Sequence, residues 1–585
     1  MASTDTSVNN PVPVIEIGSR SRVGNRIALG ALLLLCAVAL FVKLGTPALF
    51  DPDEGRNAEK AREILLLHDW ITPHENFAVV LDKPIFYYWL VAASYRAFGV
   101  SEWSARLPSA LAGLGCVALV FFFARRFFGF WEGLWSSLIL VTSLEFYLLA
   151  RIVIFDMTLT FFQTLSLFSF FCALREQKSG RRTSWLGLMY VSLGAATLVK
   201  GPIGVVLPGM VALAHLLICR KLFLLRELRL HFGIPLFVAI VTPWYYEVER
   251  LNPGYLRYFF WEENFIRYLT PHFNRTEGWY YFFWVLAVGF LPWTLWIPKA
   301  LREAWRGRRD DTMLFLFLWA VLPFIFFSFS SAKLPHYILP IFPPLVLLTG
   351  ISLERKITAG GVRRAWPLLL SCFCLCLLIG GFIFAASLPH VFPRAAQFGF
   401  TKLPDPLRAI ALLTVIVLAG VGLFTWSGRW KSQVTIFVGL SFALILYMDL
   451  LGYILVGSSA SRSTRDLATQ ASSYIEPNTQ VIIYDTSLES LPFYLKITQP
   501  IWIVWSGEKA SVMGSFYLAE ETARSTSGFG RVLLTFKEFD EQWAKAPKNH
   551  FVVFIKPKNL WHLEREAAHS AKVLLEDHGL LLVSN

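Results

Sequence analysis

The chain has 585 residues, 55% of them hydrophobic and only 16% charged, with a mean hydropathy of +0.51. Soluble domains carry about 25% charged residues, so an ordinary soluble enzyme is excluded and lipid is the solvent of most of the chain. The net charge of +13 lies mainly in loops between apolar runs, and none of the seven cysteines falls in the hydrophilic C-terminal part, so neither a nucleic-acid partner nor a disulfide framework is indicated.

Residues 1–26 are polar and form a cytoplasmic tail that ends in Arg20, Arg22 and Arg26. The apolar run that follows has no clear small-x-small cleavage pattern, so it reads as an uncleaved first span. Runs of about 17–25 apolar residues mark membrane-crossing helices. They lie near 27–49, 105–124, 131–150, 157–174, 185–199, 203–219, 232–248, 280–298, 312–330, 335–353, 366–388, 407–426 and 433–456, which makes thirteen. Counted this way, every basic cluster falls on one side, from Arg125/Arg126 through Arg220/Lys221 to Arg429/Lys431. The positive-inside rule makes that side cytoplasmic and the C-terminus extracytoplasmic.

The opposite face carries the longest connection within the membrane domain 27–456, the loop 50–104. Glu54–His68 places Ala58, Ala61, Ile64 and Leu65 at helical spacing with charges on the other face. Pro84–Phe98 is apolar and aromatic and starts with a proline suited to a first helical turn. Both predict interfacial helices along the membrane plane. The segment 249–279 mixes aromatics with Glu262, Glu263, Arg267, His272 and Arg275. Residues 457–585 change character. The runs 481–484, 501–504, 532–535, 551–555 and 573–575 predict short strands between polar, helix-permissive stretches. The expected fold is therefore a polytopic α-helical membrane protein with an extracytoplasmic α/β domain at its C-terminus.

Ionisable groups at a membrane edge are costly and point to function. On the extracytoplasmic side these are Asp53, Glu54, Arg56, Asp82, Lys83, Asp156, Lys200, His272, Arg275 and Lys333. Such a mix suits a reaction whose leaving group is a lipid-linked phosphate. That phosphate departs as a stable anion, so cations such as Arg56 and Lys83 serve it better than a strong general acid. A carboxylate such as Asp53 is placed to orient or deprotonate an acceptor. Carboxylates at a helix start also serve the helix dipole. A lipid-linked-sugar flippase or a non-catalytic carrier-binding protein would share this composition, although no internal repeat of the transporter kind is present.

The order and spacing of several motifs carry a resemblance. They are Asp51-Pro52-Asp53-Glu54-Gly55-Arg56, Asp82-Lys83-Pro84, Tyr88-Trp89, Asp156, Lys200-Gly201-Pro202, Pro243-Trp244-Tyr245 and Lys333-Leu334-Pro335 with Tyr337. From about residue 45 to 350 the chain resembles the GT-C membrane glycosyltransferases that use polyprenyl-phosphate sugars. It is similar in particular to the 4-amino-4-deoxy-L-arabinose lipid A transferases, and more distantly to the protein mannosyltransferases. The resemblance implies a bacterial inner-membrane enzyme that draws on a polyprenyl-phosphate-linked sugar, with lipid A or another envelope glycan or protein as acceptor. No nucleotide cofactor is expected. It implies catalytic roles for Asp53, Asp156 and Glu54, and carrier-phosphate binding by Arg56, Lys83, Tyr337 and Lys333. It also implies a divalent metal ion on Asp82 and His272, where the family has Glu in place of Asp82.

Overall fold

The computed structural model describes residues 22–270, 277–360, 433–460, 462–507, 532–566, 571–577 and 579–585. The apolar runs 366–388 and 407–426 lie outside the described residues. The other expected spans are helical over most of their length. They include α1 (Arg22–Phe41), followed after the intervening loop by α4 (Glu102–Phe127), α5 (Phe130–Thr142), α6 (Leu144–Leu149), α7 (Phe155–Arg175), α8 (Ser179–Lys200), α9 (Ile203–Ile218) and α10 (Leu230–Leu251). Further on come Asp311–Ser328, Phe342–Gly360 and Gln433–Ala460, the last packed against α1. Among the described residues six helices are long and apolar enough to cross a membrane, and seven if one bent pair is a single span. The protein is thus an integral membrane protein with several spans.

Two expected spans are not straight. The run 131–150 breaks at Ser143 into α5 and α6. The run 280–298 turns by 117° between Tyr281–Gly289 and Thr294–Arg306. Pro292 sits in that break and has no N–H to continue a helical ladder. Local caps fix other ends. Asp310 accepts from Thr312 N and Met313 N, both at 2.9 Å, and so starts the helix Asp311–Ser328.

The loop 50–104 folds into α2 (Asp53–Leu67), the hairpin β1 (His74–Glu75) and β2 (Ala78–Val79), and α3 (Phe86–Phe98). Asn76 and Phe77 turn the hairpin with positive φ at both positions, as a two-residue turn of type I′ requires. The sequence predicted an interfacial helix with a solvated charged face over Glu54–His68. The helix is there, but Glu54, Asn57, Glu59, Lys60, Arg62 and Glu63 are all buried. The reason is that α3, the hairpin and the C-terminal domain cover α2 together.

Among the described residues the C-terminal domain forms a six-stranded mixed sheet in the order β5-β4-β3-β6-β8-β7. Its strands are β3 (Gln480–Tyr484), β4 (Trp502–Val504), β5 (Leu533–Leu534), β6 (Phe551–Ile555), β7 (Lys572–Asp577) and β8 (Leu580–Ser584). The first four are parallel neighbours, while β8 runs antiparallel to β6 and β7. One face is sealed by Trp543, which is fully buried and stacks on Phe551. The final strand was not read from the sequence. Leu580–Ser584 follows closely on Lys572–Asp577, with Gly579 at positive φ just before it.

This domain docks directly on the loop. Asp51 N donates to Arg462 O at 2.9 Å, and Leu49 N to the Tyr494 hydroxyl at 2.8 Å. Asn76 and Ile501 exchange two hydrogen bonds of 2.8 Å. A Cβ on Gly55 would lie 2.5 Å from Ser490 N, so only glycine permits this approach.

Candidate active site

The candidate residues stand on the first turn of α2, at the starts of α7 and α9 and at the end of α8. Asp53 is the first residue of α2, exposed to solvent, with no hydrogen bond or ion pair among the described residues. Glu54 turns inward instead. Its carboxylate accepts from Arg106 Nε at 2.8 Å and Nη2 at 2.7 Å, from Phe50 N at 3.0 Å and from Val153 N at 2.8 Å. Arg106 also donates to the carbonyls of Leu44, Pro47 and Ala48. Glu54 is therefore fully occupied in tying α2 to α4 and to the approach of α7, and its burial keeps it from solvent.

A cavity of about 440 Å³ opens beside these elements. Lys83, Asp156, Lys200, Glu263, Arg267 and Tyr337 line it, together with apolar walls from Leu159, Ile203, Val206, Phe259, Phe260, Phe265, Phe326 and Phe327. Lys83 Nζ lies 2.7 Å from Glu263 Oε1 and donates to the Asp82 carbonyl at 2.8 Å. Arg267, one helical turn after Glu263, pairs with the same carboxylate. Lys200 Nζ lies 2.5 Å from Asp156 Oδ1 and sits over the Tyr337 ring, 4.8 Å from its centroid. His336 Nε2 is 3.7 Å from the other oxygen of Asp156. Of the residues singled out in the sequence, the cavity brings together Lys83, Asp156, Lys200 and Tyr337. Glu263 and Arg267 come from the aromatic segment 249–279 and carried no assignment. Their i, i+4 spacing on a polar stripe was the available signal. The segment Tyr258–Ile266 that holds Glu263 is a π-helix, a geometry that often marks functional places.

Arg56 and Lys333 are not among the cavity-lining residues. Lys333 Nζ donates to the carbonyls of Glu277 at 2.9 Å and Ser330 at 2.5 Å. Burial pulls its pKa down, partly offset by Glu277. The guanidinium of Arg56 lies between Glu489 at 3.3 Å and Glu75 at 3.6 Å. Glu75 in turn meets Lys60 at 3.2 Å, and Lys60 meets Asp82 at 3.0 Å. A chain of alternating charge thus links the cavity to the first turn of α2. Burial raises the Glu75 carboxyl, against the pull of Lys60. Burial also works to raise Asp82, but Lys60, Lys83 and Arg56 hold it well below the usual carboxylate range.

His272, the second expected metal ligand, lies outside the described residues. Among the described residues no group of three His, Cys, Asp or Glu side chains converges on a metal position. Asp82 is already neutralised by Lys60 and flanked by Lys83. The described donors alone do not make a divalent-ion site.

Asp51, beside Asp53, accepts from the Ser490 hydroxyl at 3.0 Å. Burial pushes its pKa up to about 7, partly offset by the hydrogen bonds from Ser490. An acid raised in the folded state stabilises the fold at low pH, where it stays protonated in both states. That contribution is lost as pH climbs from near 4 to about 7, because the unfolded chain sheds its proton first. Asp51→Asn is expected to narrow the gap in Tm between pH 5 and pH 8. An unchanged gap would show that Asp51 does not carry this dependence.

The comparisons bear on this geometry. Residues 82–246 match the family model described as dolichyl-phosphate-mannose-protein mannosyltransferase. An undecaprenyl phosphate-alpha-4-amino-4-deoxy-L-arabinose arabinosyl transferase of Pseudomonas fluorescens is 36% identical over 344 residues. The match covers 57% of this chain and 61% of that relative. The corresponding protein of Pseudomonas aeruginosa PAO1 is 35% identical over 343 residues, 56% of this chain and 60% of its own. The crystal structure of ArnT from Cupriavidus metallidurans bound to undecaprenyl phosphate superposes with a TM-score of 0.79 at 27% identity, covering 95% of this chain and 97% of that one. Its apo structure gives a TM-score of 0.80. By sequence over more than half its length and by fold over nearly all of it, the chain is similar to the undecaprenyl-phosphate aminoarabinose transferases among the polyprenyl-phosphate-dependent GT-C membrane glycosyltransferases.

Proposed function

We propose that the chain is a membrane glycosyltransferase that moves aminoarabinose from undecaprenyl phosphate to lipid A. Another envelope glycan or a protein is the alternative acceptor. The observation that carries this reading is the cavity itself, where Lys83, Lys200 and Arg267 stand among aliphatic and aromatic walls. An anionic headgroup on a hydrocarbon tail fits such a lining. Each of these cations is paired to Glu263 or Asp156. A carrier phosphate takes over those cations, and Tyr337 adds a hydroxyl.

In the transfer, the bond between the anomeric carbon and the phosphate oxygen breaks as an acceptor oxygen bonds to that carbon. Lys83, Lys200 and Arg267 stabilise the departing phosphate. Asp53, exposed at the start of α2, faces the acceptor side and orients it or receives its proton. Asp156 holds Lys200, and Glu54 positions α2 rather than touching substrate. Lys200→Met is expected to weaken undecaprenyl phosphate binding by roughly 10- to 100-fold, the worth of one or two charge-assisted bonds. Displacement of a labelled carrier measures this, and unchanged affinity removes Lys200 from the anion site.

The placement we propose is the bacterial inner membrane, with thirteen spans, the N-terminus in the cytoplasm and the C-terminal domain on the periplasmic side. It is supported by the basic loops that all fall on one face. Mass spectrometry of lipid A from a strain with and without the gene tests the acceptor. Loss and restoration of an aminoarabinose mass supports lipid A, and an unaltered lipid A spectrum sends the search to glycan or protein acceptors.

A further inference from the structure

Among the described residues, the C-terminal domain reaches Arg56 through the carboxylate of Glu489. Glu489 stands in the connection after β3, 1% exposed. Its Oε1 meets Arg56 Nη2 at 3.3 Å and accepts from the Ser487 hydroxyl at 3.1 Å. Glu75 approaches the same guanidinium from the hairpin. Arg56 follows Asp53 by three residues on α2, a spacing at which helix side chains meet. The Asp53 charge is felt at Arg56, yet the ion pairs of Arg56 run to Glu489 and Glu75. An Arg56 released from Glu489 keeps only the 3.6 Å approach to Glu75, and Asp53 is the exposed carboxylate three residues before it on the helix. A pairing with Asp53 would neutralise the one exposed carboxylate of the first turn and crowd the side from which an acceptor comes.

We propose that Glu489 is a positioning residue of the transferase: from the C-terminal domain it holds the Arg56 guanidinium off Asp53 and keeps that carboxylate open to the acceptor. The inference rests on the transferase reading above. It gives the domain a part in the reaction, since the site is complete only when the 487–490 connection is docked on α2. The close fit of Ser490 against Gly55 fixes that docking. Glu489 donates no proton and touches no reacting atom in this scheme.

The test uses the full-length protein in vesicles, with undecaprenyl-phosphate aminoarabinose as donor and lipid A as acceptor. Glu489→Gln is expected to lower kcat roughly 10- to 100-fold, the cost of a misplaced group at a reacting centre, with carrier affinity unchanged. Glu489→Asp keeps the charge and should recover part of the loss. In an Arg56→Gln background, Glu489→Gln should add no further loss. Arg465→Ala removes a different contact of the same domain, the 3.5 Å pair with Glu102, and is expected to lower Tm without lowering kcat per folded molecule. Wild-type kcat in Glu489→Gln overturns the proposal, and so does a loss of equal size with and without Arg56. Parallel losses of Tm and kcat in Glu489→Gln and Arg465→Ala also overturn it, by reducing Glu489 to a structural brace. If the wild type itself consumes no donor, the transferase reading falls first, and this inference falls with it.

Discussion

Asp53→Asn is expected to reduce transfer by about 10²-fold or more while leaving undecaprenyl phosphate binding intact. The split follows from geometry. Asp53 is exposed on the first turn of α2, whereas the cations proposed to hold the carrier line a cavity to which α2 contributes no residue. Asparagine keeps the shape and removes the charge. Loss of a positioned general base costs about 10²–10⁴-fold. A phosphate acceptor has no proton to give up, and then the carboxylate orients it, which places the loss at the lower end of that range. Carrier displacement and turnover measured on the same preparation check the split. Weakened carrier binding with unchanged turnover per bound donor would move Asp53 out of the acceptor side.

The largest stability effect is expected at Arg106. Its guanidinium is 1% exposed and bridges Glu54 to three backbone carbonyls of the preceding loop. Arg106→Met leaves Glu54 buried without its cation, at a cost of about 3–5 kcal/mol. The same change frees those carbonyls, so α2 loses its mount and activity falls with stability. Combining Arg106→Met with Glu54→Leu removes both charges and should regain part of the loss. Thermal unfolding in detergent measures both variants. Equal Tm in the single variant and the wild type would show that the pair contributes nothing net.

Much of this was legible in local pattern. Apolar length located the described membrane helices, and alternation from polar to short apolar runs located β3 to β7. The motif residues Lys83, Asp156 and Tyr337 do meet at one cavity, although they are far apart in sequence. What stayed hidden depends on distant packing. The charged face of α2 reads as solvated, because nothing local says that a domain more than 400 residues later covers it. Glu489 looks like any surface carboxylate in a connection until Arg56 is found against it, |i−j| being 433. Glu54 and Asp53 are neighbours of one chemistry, and only Arg106 on α4 separates an inward brace from an outward carboxylate. The 117° turn near Pro292 is the converse case. The proline was visible there, but the apolar length on both sides outweighed it.

The central claim is that the cavity holds a polyprenyl-phosphate sugar for transfer. The most direct measurement is transfer by the purified full-length protein in vesicles, supplied with a panel of undecaprenyl-phosphate sugars and with lipid A. The predicted result is release of undecaprenyl phosphate in step with glycosylated acceptor, for the aminoarabinose donor and for wild type but not Asp53→Asn. A folded wild-type protein that binds these donors and consumes none of them would contradict the account.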